Sequence, residues 1–534
     1  MSYWQKIQNI ASAAKELGTK SVRKLSAATG YSKSSIYRHQ QAQKSRNRYP
    51  ESQLWESAEG QQWLSRLVVA SLLDLGIKRG VGAESLSSFF AHLRIDTHVG
   101  ISPSALRRVQ KQVERLIIEY GEEEQRQGIQ TGGPQEIVGG VDETFMEQMI
   151  LVMLDLPSGY LLMEEFSANR TTQTWCVRVE QVLEPFTGHV RYLVSDRAKP
   201  LISLALRHIG CRSIADLFHV SHEIAKGFSL PIQSRLTQAQ KQLQQAQATV
   251  PETQTSLDDR PDALPSSLAQ AVQHWQGVQT QYRNLLQQFN QTVHPFAVTD
   301  SAPQTAAVVA ANLQATVAQL ETLAQTNDLP KSHAKLKPVK NQIADLASLM
   351  DVWWDWVAHS LADQVSDFSH QHWLTHTLLP TVYWERQLAN ARTDPQRQCY
   401  LRALAQAQKH FQCHPHTHHF QTLALDHWYA WADTMVSRFQ RTSSPVEGRN
   451  GYLSQINHAS RGLPQQRLKT LTVLHNFELK RHDGSTAAQR FFGSSFPDLF
   501  EWLLPRMPEL PRPRIRLTTT LSPPPSRCFL PVPP

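Results

Sequence analysis

Between Glu136 and Ser167 the sequence passes through three strand patterns in close succession, EIVGGVDET, EQMILVMLDL and GYLLMEEFS. The turn tripeptide Pro157-Ser158-Gly159 joins the last two as a hairpin. The texture then alternates: a helical pattern at about 171–184, the strand HVRYLVSD, a helix at 198–208 and a short strand in RSIADLF. Consecutive hairpin strands followed by alternating helix and strand predict an α/β domain built on a mixed sheet.

All-helical regions flank this domain. Helices are predicted at about 4–17, 20–29 and 33–44, with Gly30 taking a left-handed turn and Ser32 capping the third. Val22, Leu25 and Ala28 would face Ile36, which is helix-turn-helix punctuation and makes 1–50 a DNA-binding domain. That leaves Lys33, Ser34 and Arg38 exposed on a recognition helix. Residues 51–130 read as a second helical region that fits either another helix-turn-helix or a linking helical bundle, with a turn at Gly100, a cap at Ser102 and Pro103 opening a basic helix. From 229 to 440 the pattern is almost wholly helical, and tryptophans such as Trp353, Trp373 and Trp384 recur at core spacing, so this segment reads as an insertion. A Pro-rich tail at 505–534 is expected to be disordered.

Charge is concentrated at the two ends. Residues 1–50 hold ten Lys or Arg against Glu16 alone, and 441–534 hold thirteen against six acids, so the middle is net acidic although the chain carries +8. Localised basicity is the footprint of a surface that neutralises phosphates. There is no long uncharged apolar run and no signal-peptide pattern at the start, so a cytoplasmic, nucleoid-associated protein without membrane contact is expected. Five scattered cysteines with no C-x-x-C spacing suggest neither a disulfide framework nor a zinc ribbon. The His-rich HPHTHHF at 414–420 has no companion cluster at zinc spacing and reads as an exposed helix start or loop.

Chemistry is expected where two strands end in acids. Asp142 ends IVGGVD and Asp196 ends RYLVSD, and neighbouring strand ends bring such carboxylates together. Two hard oxygen donors at one sheet edge suit Mg2+ or Mn2+. Either Asp alone would be a common helix cap; the pair in this strand order carries the argument.

These features resemble the DDE transposases, the RNase H-like enzymes of insertion sequences and related mobile elements. The resemblance rests on Asp142 in VDET, Asp196 in VSDRAKP, DLFHVSHEI with Asp216 and His219 spaced D-x-x-H, and SSPVEGRNGYLSQI with Glu447. It spans about 137–228 and 441–477. It implies an RNase H-like catalytic domain assembled from 137–228 and 441–504, in which Asp142, Asp196 and Glu447 hold two Mg2+ or Mn2+ ions. Asp142 would bridge both ions, while Asp216 and His219 support the site or position DNA.

The implied activity is metal-dependent phosphodiester cleavage and strand transfer at the ends of a mobile element. Double-stranded DNA is the implied partner, both element ends and target, and pairing two ends implies at least a dimer. Arg449, Arg461, Arg467 and Lys469, on or beside the glutamate helix, are expected to meet phosphates. Glu385 and Glu478 are rivals to Glu447, but neither has the TSSPVE helix-start signal. The alternatives are a non-catalytic sequence-specific DNA-binding protein, such as a repressor or domesticated transposase, and an RNase H-like nuclease.

Overall fold

The computed structural model describes residues 3–46, 49–248, 263–362, 364–419, 422–460 and 462–513. The chain divides into two compact units, one of residues 1–124, 455–474 and 496–534, the other of 125–454 and 475–495. Among the described residues, no helix is long and apolar enough to cross a membrane.

The first unit is helical. Its opening helices Tyr3–Glu16, Val22–Thr29 and Lys33–Arg46 close on a small core of Ile10, Leu25 and Ile36, with Ala13, Ala14, Val22 and Tyr31 against it. Ala28, expected in that core, is exposed, and the first helix supplies the missing apolar surface. Gly30 takes φ 71° and its N–H caps the second helix on the Ser26 carbonyl, a left-handed conformation that costs glycine nothing. Ser32 Oγ accepts from the Ser35 N–H at 3.3 Å, the expected cap.

Further along, the helix Pro103–Thr131 opens with Ser102 Oγ accepting from the Ala105 N–H. The expectation of disorder from 505 onward needs correcting for its first residues. Leu510 is buried, and the Pro511 carbonyl accepts from the Gly100 N–H at 2.6 Å, so 505–513 is held by packing and a backbone bond. Residues 514–534 lie outside the described residues.

The second unit holds one five-stranded sheet, β1 Glu136–Phe145, β2 Met149–Asp155, β3 Tyr160–Ser167, β4 His189–Ser195 and β5 Arg212–Ala215. The strand order is β3-β2-β1-β4-β5. β1 pairs antiparallel with β2, and β2 with β3, whereas β4 and β5 add in parallel on the other side of β1. The buried Asp155 organises the hairpin after β2: it accepts from the Val138 and Ser158 N–H groups and from the Ser158 hydroxyl. Gly159 completes the turn at φ 78°.

β5 leads directly into a 32-residue helix, Leu217–Ala248, which runs unbroken through the expected domain boundary at 228. The helical insertion has its own aromatic core, with Trp353, Trp373 and Trp384 fully buried. Trp353 Nε1 donates to the Met435 carbonyl at 2.9 Å, which satisfies the indole's one polar atom.

Candidate active site

Two strands and two helix starts build the site. Gly140 on β1 pairs with Val194 on β4, and two residues further along each chain stand Asp142 and Asp196, so the two acids leave the sheet at matching register. Asp196 follows the last residue of β4, as expected. Asp142 does not end its strand: β1 continues to Phe145 because its other edge stays paired with β2, Asp142 opposite Val152.

After Asp196 the chain turns sharply. Arg197 adopts φ 67°, a left-handed conformation that costs a non-glycine residue on the order of 1 kcal/mol. Its guanidinium holds it there by donating to the Ser213 carbonyl at 2.9 Å and pairing with Asp345. Asp196 Oδ1 then accepts from the Ala198 N–H at 2.8 Å, which fixes the carboxylate at the turn.

The helix Ser444–Ser460 brings Glu447 in on its first turn. Gly140 makes the approach possible, since a Cβ there would stand 2.7 Å from Leu156 Cδ2 and 3.2 Å from Val446 Cγ2. One helical turn beyond Glu447, Asn450 Nδ2 donates to Asp142 Oδ2 at 3.3 Å. Its Oδ1 is buried with no hydrogen-bond partner.

Burial, followed by the nearby Glu447 carboxylate, pushes the Asp142 carboxyl up to about 7; the Glu143 N–H and His219 pull it down, and Asp196 adds a smaller upward push. Glu143 is raised by burial and then by Asp196, although Trp175 Nε1 donates to it and Arg170 lies 3.8 Å away. Glu447 and, more weakly, Asp196 thus act on Asp142, while Asp196 also acts on Glu143. Among the described residues, no three His, Cys, Asp or Glu groups are gathered into a ready-made metal cage. The donor chemistry still fits a divalent cation: hard carboxylate oxygens that repel one another, beside the orphaned Asn450 Oδ1.

Asp216 and His219 join the same cluster. Asp216 is fully buried between β5 and the helix Leu217–Ala248. Its Oδ2 accepts from His219 Nδ1 at 2.8 Å and from the Ser443 hydroxyl, and its Oδ1 from the Phe218 N–H. Burial pushes Asp216 up, but the bonds from His219, Ser443 and Phe218 outweigh it and hold the carboxyl below its ordinary range. The hydrogen bond to Asp216 raises His219 to about 9; burial opposes this, and the charges of Asp216, Asp142 and Glu447 add to it. His219 is thus a cation at neutral pH, its Nε2 3.5 Å from Glu447 Oε1.

The expected phosphate contacts divide. Lys33, Ser34 and Arg38 are exposed on the helix Lys33–Arg46, and Lys469 is exposed as well. Arg449 is a correction: its side chain is 3% exposed and makes two 2.7 Å bonds to Glu164 on β3, so it anchors the glutamate helix to the sheet. Arg467 is a second correction, because Glu114 takes its Nε at 2.6 Å and the Gly76 carbonyl its Nη1. Arg461 lies outside the described residues. In the His-rich segment, the helix Pro415–His419 packs by ring stacking, His416 against His414 and His370.

Sequence reasoning missed Asn450, Glu143, Ser443 and Arg197. Asn450 had a usable signal, the i,i+3 spacing that puts it on Glu447's helix face.

No curated protein matches this chain. Residues 374–519 match the model of a family of unknown function (DUF6399), a stretch that contains Glu447, Arg449 and Asn450 and none of the five strands.

Proposed function

We propose that this chain is a DDE-type DNA transposase, which cleaves and transfers DNA strands at the ends of a mobile element with the help of divalent metal ions. One observation carries the reading: a glutamate returning after a long helical insertion lies close enough to Asp142 to help lift its buried carboxyl to about 7, with Asp196 at matching register on the neighbouring strand. Negative charge concentrated at a sheet edge is what a divalent cation relieves. The strand order, three antiparallel strands with two parallel ones beyond β1, supports an RNase H-like domain.

Asp142, Asp196 and Glu447 would hold two Mg2+ or Mn2+ ions, which when bound supply an activated water or 3′-hydroxyl and stabilise the departing oxygen. Asn450 orients Asp142 through its 3.3 Å bond. His219, held by Asp216, keeps a positive charge beside Glu447 and so limits the repulsion among the acids. The exposed Lys33, Ser34 and Arg38 serve DNA end recognition, and synapsis of two ends calls for at least a dimer.

The test is Mg2+- or Mn2+-dependent nicking of a plasmid carrying the element's ends, read together with a Mn2+-dependent rise in Tm. Both should be present in the wild type and absent from Asp142→Asn. A second reading, a non-catalytic DNA-binding descendant, draws support from the protonated His219 beside Glu447, which supplies positive charge without a metal. It predicts end binding with neither nicking nor a Mn2+ effect on Tm.

A further inference from the structure

We propose that a groove between the helices Pro103–Thr131 and Gln465–Phe477 docks the phosphate backbone of duplex DNA, independently of the recognition helix Lys33–Arg46. The proposal rests on the DNA reading above. It assigns the sequence-independent part of binding to a surface shared by the basic helix that Pro103 opens and by Lys469.

The groove is lined by Arg108, Lys111, Gln112 and Arg115 from the first helix and by Gln466 and Lys469 from the second. The three cations at 108, 111 and 115 recur at three- and four-residue intervals and so form one stripe. Seven residues of helix rise about 10 Å, which matches about three phosphates at one per 3.4 Å of axis along a strand. Among the described residues, no carboxylate lies within ion-pair distance of Arg108, Lys111 or Lys469, whereas Arg115 stands 3.3 Å from Glu119. Neighbours in the sequence behave oppositely: Arg107 is paired with Glu84 and Arg467 with Glu114.

The groove is also pre-formed. The Arg467–Glu114 pair is nearly buried, Thr470 Oγ1 donates to the Glu114 carbonyl, and Gln466 Nε2 donates to the Lys111 carbonyl at 3.1 Å. These contacts fix the spacing of the two helices, so the rim cations are held apart before any ligand arrives. A protein partner would call for aromatic or aliphatic anchors at the centre of the patch. Here the lining is mostly cationic and amide, with Glu119 the one acid and Ile118 the one apolar residue. Such a surface holds a polyanion in register and leaves base reading to another element.

The test uses the full chain and a duplex of scrambled sequence. Arg108→Gln, Lys111→Gln and Lys469→Gln are combined, and the dependence of log K on log salt is compared with wild type. Three lost phosphate contacts should flatten the slope by about 2.7, with Tm unchanged because all three side chains are exposed. Combining Lys33→Ala with Arg38→Ala should leave a groove contribution of that size in place. An unchanged slope in the triple variant, with wild-type binding intact, overturns the groove alone. If the wild type binds no duplex even at low salt, the groove and the DNA reading fall together.

Discussion

The Ser443 hydroxyl donates a hydrogen bond to the buried Asp216 carboxylate across 227 positions of sequence. Beside it the Leu217 N–H donates to the Arg441 carbonyl at 3.0 Å, and Tyr192 on β4 reaches the Arg438 carbonyl at 2.7 Å. The chain therefore leaves the sheet domain and returns to it at one spot, which delivers Glu447 to Asp142. Ser443→Ala should cost about 1–2 kcal/mol in urea unfolding, because Asp216 keeps its bonds from His219 and Phe218. Asp216→Asn should cost more and return His219 towards its ordinary titration range, read by imidazole NMR. Equal damage from the two variants would show that the clasp, and not the charge on Asp216, matters.

Asp142 makes stability depend on pH with a definite sign. Its carboxyl is raised from 3.8 to about 7 in the folded chain, so the folded state binds its proton more tightly than the unfolded state. Stability from this group is full below about pH 3.8 and declines as pH rises to about 7, by at most on the order of 4 kcal/mol. Metal-free Asp142→Asn should accordingly have a higher Tm than wild type at pH 8 and a similar one at pH 4. A loss of Tm at pH 8 would contradict a carboxyl raised by burial and by the neighbouring Glu447.

Glu447→Gln removes the largest charge acting on Asp142, so the Asp142 titration should move down towards 3.8. The same variant should lose DNA nicking and the Mn2+-induced rise in Tm. Glu385→Gln and Glu478→Gln serve as comparisons and should retain both. Retention of nicking by Glu447→Gln would place the third metal ligand elsewhere.

Arg449→Ala should destabilise by about 3–5 kcal/mol, since it strands the buried Glu164 charge. Replacing both partners with apolar residues, Arg449→Met with Glu164→Leu, should recover most of that loss. The observable is the midpoint of denaturant unfolding. A near-neutral Arg449→Ala combined with weakened DNA binding would restore Arg449 as a phosphate contact.

Lys33→Ala and Arg38→Ala should each weaken binding to element ends more than Lys6→Ala or Lys15→Ala, because the first two lie on the exposed face of the third helix. Fluorescence anisotropy with a labelled end duplex measures this. Four equal effects would reduce the N-terminal helices to a general basic patch.

The sheet was legible because each strand carries its own signal: apolar runs with turn residues between them, and β1 to β4 lie within a residue or two of the patterned segments, with β5 inside the last of them. The start of the helix that carries Glu447 was legible for a similar local reason, spelled by TSSPVE. The fates of Arg449 and Arg467 were not. Their partners Glu164 and Glu114 lie 285 and 353 positions away, and an arginine on a helix reads identically whether its carboxylate is across the core or absent. Asp142 was read as the end of its strand because an acid looks like a terminator, whereas pairing with β2 carries the strand past it.

The single point of departure and return has a meaning in chain entropy. Closing a flexible loop of 227 residues would cost on the order of 5 kcal/mol. An insertion with its own tryptophan core meets that cost through its own folding and presents its two ends already side by side. The distance in sequence between Asp196 and Glu447 is then thermodynamically almost silent. Residues beyond the first turns of the Leu217–Ala248 helix, which carry His219, could be shortened or exchanged for another folded module with adjacent ends, provided that module offers Arg197 a carboxylate in place of Asp345.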